Sequence, residues 1–209
     1  MEVKNVAVYG MYESMIASGY PMLAKTPTER GFSEDASVLY ALGVLKDDDL
    51  KETKDFKRIT KLANTPLGSG HANALKGIIV QFDVDFTIKV WTEAERYHFF
   101  DFVSSCSTMH RLKSMDLDKG YCEHVDKRVV EIMKELQKEY NENPTQENMY
   151  KMLYTNPCGL KLTARMTTNY LQLKTIYHQR KNHRLKEWQD FCKWIETLPY
   201  AKELICGEC

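Results

Sequence analysis

Residues 78–90 read Ile78-Ile79-Val80-Gln81-Phe82-Asp83-Val84-Asp85-Phe86-Thr87-Ile88-Lys89-Val90, the most regular stretch in the chain. Ile78, Val80, Phe82, Val84, Phe86, Ile88 and Val90 recur at period two, and apart from Ile79 the residues between them are polar. Successive side chains of a strand point to opposite faces, so the pattern predicts a long, half-buried antiparallel strand or hairpin arm. Its even-numbered face belongs to a core. Its odd-numbered face is left for water or a partner subunit.

Downstream, Thr92 to Phe102 predicts a helix with Thr92 as cap and Glu93 and Glu95 in the first turn. On that helix Arg96 would share a face with Phe100, and His98 with Phe102. Val125, Val129, Ile132, Met133, Leu136 and Tyr140 keep helical spacing as far as Asn141-Glu142-Asn143-Pro144. A last long helix is expected from about Thr168 to Thr197, carrying Leu171, Leu185, Trp188, Cys192 and Ile195. Upstream, Ser33 before Glu34 and Asp35 predicts a capped short helix ending near Gly43. Asp47-Asp48-Asp49 starts another, with Phe56, Ile59 and Ala63 on one side and Pro66, Gly68 and Gly70 closing it. The expectation is an α+β chain, helical at both ends with a sheet in the middle.

With 209 residues and 43% hydrophobic content, residues 1–209 can bury one core as a single domain, with 1–45 available as an N-terminal arm. Lys plus Arg equals Asp plus Glu at 29 each, so no overall field draws the chain to nucleic acid or to an anionic membrane. The start, MEVKNVAVYGMYES, lacks the charged head and apolar run of a signal peptide, and no stretch approaches the ~20 apolar residues of a membrane span. Six irregularly spaced cysteines fit a reduced, cytoplasmic compartment.

Charge is nevertheless concentrated locally. Between Asn156 and Lys186 there is no Asp or Glu, yet Lys161, Arg165, Lys174, Arg180, Lys181, Arg184 and Lys186 all fall there. Either this is a solvated face balanced by acidic neighbours, or it is a binding surface. A second donor-rich block holds Arg96, His98, Ser104, Ser105, Ser107, Thr108, His110 and Arg111. A guanidinium fork with nearby hydroxyls and backbone N–H groups suits phosphate recognition. The plain alternative pairs Arg96 with Glu93 or Asp101 and uses the serines as caps. Ser104-Ser105-Cys106-Ser107 also permits a nucleophilic thiol beside His98 or His110, although no third group orients it. Cys122-Glu123-His124 and Cys206-Gly207-Glu208-Cys209 offer too few ligands for a zinc site, so no metal is expected. No glycine-rich phosphate loop occurs.

Three of these segments, in order, resemble the flavin-dependent thymidylate synthases, the ThyX-like family, of which the chain would be a divergent member. Gly70-His71 followed by Phe82 and Val84 resembles that family's Gly-His turn and Phe-x-Val strand. Arg96-Tyr97-His98 with Ser107 and Arg111 stands where the family has Arg-His-Arg, a serine and an arginine. Asn169-Tyr170-Leu171-Gln172-Leu173-Lys174-x-x-x-His178 is similar to its Asn-Phe-Leu-Asn-Leu-Arg-x-x-x-His. The family-like core covers about residues 58–195.

The resemblance implies a curved antiparallel sheet flanked by long helices, of the thymidylate synthase-complementing-protein type, assembled as a homotetramer. It implies FAD as cofactor, a pyrimidine nucleotide such as dUMP as substrate, and methylene-tetrahydrofolate and NADPH as co-substrates. Carried over by position, His71, Asn73, Arg96, Tyr97, His98, Asn169, Leu173 and His178 would hold the flavin. Arg96, Ser105, Cys106, Ser107, Arg111 and Lys174 would hold the nucleotide, with Lys174 and Arg111 as the cations that act in catalysis. Both clusters would then converge, within the chain or across a subunit boundary, on one anionic aromatic ligand. A different class of reading is a non-catalytic nucleotide-binding or sequestering protein that keeps the fold and cleft. The third is nucleic-acid binding through Lys161 to Lys186, with Tyr170 and Tyr177 stacking on bases.

Overall fold

Every even-numbered residue from Ile78 to Phe86 is buried, which is what the alternation requires of a strand with one face on a core. The computed structural model describes residues 1–22, 47–66 and 68–207. The expected helix from Ser33 to Gly43 lies outside them. Four strands, β1 (Val3–Tyr9), β2 (Ile79–Thr87), β3 (Phe100–Ser105) and β4 (Lys161–Asn169), form one sheet in the order β1-β2-β4-β3. The central pair runs antiparallel, with Asp85 bonded to Thr163 and Asp83 to Arg165.

The helices are α1 (Met11–Ala17), α2 (Asp47–Glu52), α3 (Lys54–Ala63), α4 (Ile88–Ala94), α5 (Thr108–Arg111), α6 (Leu117–Gly120), α7 (Lys127–Glu142), α8 (Gln146–Thr155), α9 (Tyr170–Arg180), α10 (Lys186–Ile195) and α11 (Ala201–Leu204). A 3-10 segment, His71–Gly77, leads into β2. The α+β architecture is thus present. Among the described residues, no helix is long and apolar enough to cross a membrane.

The chain packs as two compact units, Met1–Asn5 with Phe82–Met166, and Val6–Gln81 with Thr167–Cys209. In the first, α7 packs on α8 around Leu112, Leu117, Tyr121, Met133, Met152 and Leu160. Burial pushes the Tyr121 phenol up to about 12, and its hydroxyl donates to Asn156 Oδ1 at 2.8 Å. In the second, α9 packs on α10 and on the 71–77 segment, which also receives α1 and α3. Gly10, at φ 72°, lies so close to the Gly77 carbonyl that a Cβ there would collide with it, so a glycine lets α1 approach the segment.

Four predicted elements end elsewhere. The strand stops at Thr87, whose side chain caps α4 by accepting from Val90 N at 3.4 Å; Ile88 and Val90 therefore belong to a helix. The helix expected from Thr92 to Phe102 is displaced upstream, because Phe100 begins β3 and its buried ring packs on Phe82 at 6.1 Å. Sheet pairing outweighs the local i, i+4 pattern there. Arg96 and Phe100, and His98 and Phe102, consequently share no helical face. The long helix expected from Thr168 divides into α9 and α10, while Thr168 and Asn169 finish β4. Near the N-terminal half, Thr53 splits the helix expected from Asp47 by accepting from Phe56 N and donating to Leu50 O.

Phe86 is fully buried and meets Trp91 edge to face at 5.0 Å between centroids. Phe86→Ala is expected to lower the unfolding free energy by about 3–5 kcal/mol, read from the urea midpoint at constant m-value.

Candidate functional site

The strip from Arg96 to Arg111 follows from the β2–α4–β3 connection in the first unit. Helix α4 ends at Ala94, and Arg96, Tyr97 and His98 form the turn before β3. Phe99 takes φ 59°, a left-handed conformation unusual for a bulky side chain. Strand β3 then lies at one end of the sheet, where Asp101 to Ser105 are all exposed. Cys106 N donates to Thr163 O at 2.9 Å and holds the loop to β4.

Several donors on this strip face solvent. Arg96 and His98 are exposed, Tyr97 is half-buried, and Glu93, the carboxylate that could have taken Arg96, instead pairs with Lys89 at 2.7 Å. Among the described residues Arg96 has no ion-pair partner. Ser105 and Ser107 are exposed, and Ser107 precedes α5 without a side-chain capping bond. Cys106 and Arg111 are half-buried. A guanidinium and several hydroxyls therefore face solvent with hydrogen-bonding capacity to spare. A thiol reading of Cys106 gains no orienting partner among the described residues.

The residues expected on the late helix lie in the second unit and have a different character. Asn169 caps α9 by accepting from Gln172 N at 2.9 Å. Leu173 is wholly buried. Lys174 is also 0% exposed, with its ammonium 3.5 Å from the carbonyl oxygens of Ile205 and Gly207. The resemblance implied that Lys174 faces the pyrimidine; within this chain the segment after α11 covers it. His178 Nε2 donates to Ile205 O at 3.2 Å, which places the proton of the neutral ring on Nε2.

The basic run from Lys161 to Lys186 does not form one stripe. Arg165 pairs with Asp83, Arg180 stacks on Trp188 at 4.8 Å, Lys181 lies over Tyr177 at 5.6 Å, and Lys186 pairs with Asp190. Tyr170, expected to stack on bases, is buried and donates to Pro199 O at 2.7 Å.

His71 and Asn73 line an open cavity of about 910 Å³ in the second unit. Its wall also carries Lys57, Arg58 and Lys61 of α3, and Ser18. Sequence reading passed over these cations. Their spacing at i, i+1 and i+4 on a helix was the signal that could have found them.

No family model matches the chain, and no curated protein matches it in sequence. Solved structures do match. Thymidylate synthase X (ThyX) from Helicobacter pylori, solved with FAD and dUMP at 2.31 Å, superposes with a TM-score of 0.66 at 16% identity, over 98% of this chain and 97% of that one. A second structure of the Helicobacter pylori flavin-dependent thymidylate synthase, also complexed with FAD and dUMP, gives 0.62 at 16% identity, over 98% of each chain. The chain has the ThyX fold. At this identity the likeness is one of fold, and the chain must be judged on its own side chains.

Desolvation holds the His178 imidazole below its ordinary value of 6.5, and the Lys174 and Lys181 charges push the same way against the Ile205 hydrogen bond. A folded-state value below the unfolded one means that the unfolded chain takes the proton first as pH falls. This contribution to stability is therefore complete above 6.5 and is lost as pH drops below it toward the folded value. Urea midpoints measured from about pH 8 down to about pH 5 should fall, and His178→Asn should flatten that part of the profile.

Proposed function

We propose that this chain is a flavin-dependent methyltransferase acting on a pyrimidine nucleotide, converting a dUMP-like substrate to its 5-methyl product with methylene-tetrahydrofolate and NADPH. The observation that carries the reading is the whole-length fold likeness to two structures that hold FAD and dUMP. The donor set supports it, because the exposed guanidinium of Arg96 and the exposed hydroxyls of Ser104, Ser105 and Ser107 fit a phosphate-bearing cofactor or nucleotide.

On this reading Arg96 pairs two phosphate oxygens through its planar fork, and Tyr97 and His98 lie beside it along the flavin. Ser105, Cys106 and Ser107 fill the remaining oxygen lone pairs of the nucleotide. Arg111 is the cation that stabilises negative charge developing on the pyrimidine, a role that strengthens where water is excluded. His71 and Asn73 contribute to the flavin side. By the resemblance Asn169, Leu173 and His178 would border the flavin ring and Lys174 would face the pyrimidine; in this chain Leu173 and Lys174 are buried, Asn169 caps α9 and His178 bonds to Ile205 O. Bound flavin would supply the redox chemistry, and the protein's part is binding, orientation and charge.

The homotetramer expected for such a protein has support in β3. Phe99, Val103 and Met109 are 62%, 57% and 51% exposed beside an edge of the sheet, a concentration of apolar surface suited to a second copy of the chain. Light scattering should give four times the chain mass, and Val103→Asp should shift it toward smaller species.

A second reading, a nucleotide-binding protein without the chemistry, is favoured by the enclosure of Lys174 and by the replacement of the Arg-His-Arg triplet with Arg96-Tyr97-His98. The freshly purified protein should show flavin absorbance, or take up added FAD, and should form the methylated nucleotide when given both co-substrates. Arg96→Ala is expected to reduce flavin retention by tenfold or more, roughly the loss of one charge-assisted hydrogen bond pair. Arg111→Ala should lower turnover more than flavin content. A colourless protein that refuses FAD defeats the flavin reading, while flavin or nucleotide binding without product favours the second.

A further inference from the structure

Lys174 is a fully buried charge without a counter-charge. Among the described residues no carboxylate forms an ion pair with it, and its ammonium meets two acceptors, the carbonyl oxygens of Ile205 and Gly207, each at 3.5 Å and so at the outer limit of a hydrogen bond. An ammonium carries three donors, so one is left over. Enclosing such a group beneath weak dipoles alone is costly.

The segment that encloses it is firmly anchored at one end and loosely held at the other. Leu204 and Ile205 are wholly buried, and the amides of Ile205 and Cys206 both donate to Ala201 O at 2.8 Å. His178 Nε2 adds its bond to the Ile205 carbonyl at 3.2 Å. Past that carbonyl, Cys206 and Gly207 are half-buried. Gly207 fits because it lacks a side chain: a Cβ there would collide with Asn64 Oδ1, at the end of α3. Asn64 cannot turn away freely, since its Nδ2 donates to Thr60 O and to Glu203 O at 2.9 Å each. Its Oδ1 is buried and accepts no hydrogen bond among the described residues. The closed arrangement thus leaves polar groups short of partners on two sides of Gly207, Lys174 beneath it and Asn64 beside it.

We propose that Cys206-Gly207 is a strap closed over Lys174 in the resting chain, and that an anionic nucleotide opens it and takes the ammonium in place of the Gly207 carbonyl. A charged oxygen supplies the counter-charge that a carbonyl dipole does not, which is the differential interaction that such a change requires. Strap and nucleotide compete for one cation, so closure lowers the apparent affinity in proportion to the fraction of chains that are open. That the nucleotide's cation is Lys174 rests on the methyltransferase reading. That the strap lifts rests on the packing around Gly207.

Amine accessibility in the full-length protein tests the strap, by brief acetylation and peptide mass spectrometry that compares Lys174 with the exposed Lys186. Gly207→Ala should speed Lys174 modification by about tenfold while the thermal midpoint is kept, the mark of a local opening. Adding Asn64→Ala removes the atoms that the new Cβ meets, and should restore the slow rate. Calorimetric titration with dUMP should give binding about fivefold tighter in Gly207→Ala than in the parent, and parental affinity in the double variant. Lys174 modified as fast as Lys186 in the parent, or equally slowly in all three proteins, overturns the strap. Faster modification with unchanged dUMP affinity overturns its competition with the nucleotide. Flavin absorbance of the same preparations keeps the two readings apart: a protein that takes up FAD but fails either test loses the strap alone, whereas one that takes neither FAD nor dUMP loses the flavin reading and the competition with it.

Discussion

The antiparallel pairing of β2 with β4 is the constraint on which the other features depend. Both strands bury alternate residues, Phe82, Val84 and Phe86 on one and Ala164, Met166 and Thr168 on the other. Both pass into a helix with no intervening loop, through Thr87 in one case and Asn169 in the other, each capping the first turn with its own side chain. A cap placed at the last residue of a strand fixes where the helix begins and which of its faces turns inward. The positions of Arg96, ahead of β3, and of His178, on α9, are consequences of those two junctions.

That origin gives the two groups of candidate residues opposite characters. Strand β3 ends the sheet, so the residues around it keep their polar groups for other partners, and exposed apolar side chains accompany them. Helix α9 is enclosed on several sides. Its lysine and histidine direct their hydrogen bonds to backbone carbonyls at Ile205 and Gly207. A cation held in this way stabilises a chain segment and is not available to a ligand while the segment remains. Anion recognition in this protein is accordingly better sought where a guanidinium is exposed, at Arg96.

A chain of zero net charge can still present strongly cationic sites, because what a ligand meets is the local arrangement within a Debye length. The basic run between Asn156 and Lys186 illustrates the reverse. It is conspicuous in sequence, yet its members are divided among a strand, a helix interior, two aromatic faces and a surface ion pair. Lys57, Arg58 and Lys61 attract less notice in sequence and share one cavity.

What the amino-acid order determined by itself is whatever depends on near neighbours. The period-two burial of residues 78–86, the helical run from Val129 to Tyr140, and the inward face of Phe56, Ile59 and Ala63 are all legible, because side-chain direction follows from local backbone geometry. Arg96 and the serines after it could likewise be read as donors. The tertiary structure decided where β3 begins and which donors remain open. Phe100 became a strand residue through Phe82 and the edge of the sheet, and Glu93 was withdrawn from Arg96 by Lys89. Lys174 was enclosed by carbonyls far along the chain, at a sequence separation of 31 and 33. Such contacts are set by the closing of long loops around a core, and no local pattern of residue types encodes them.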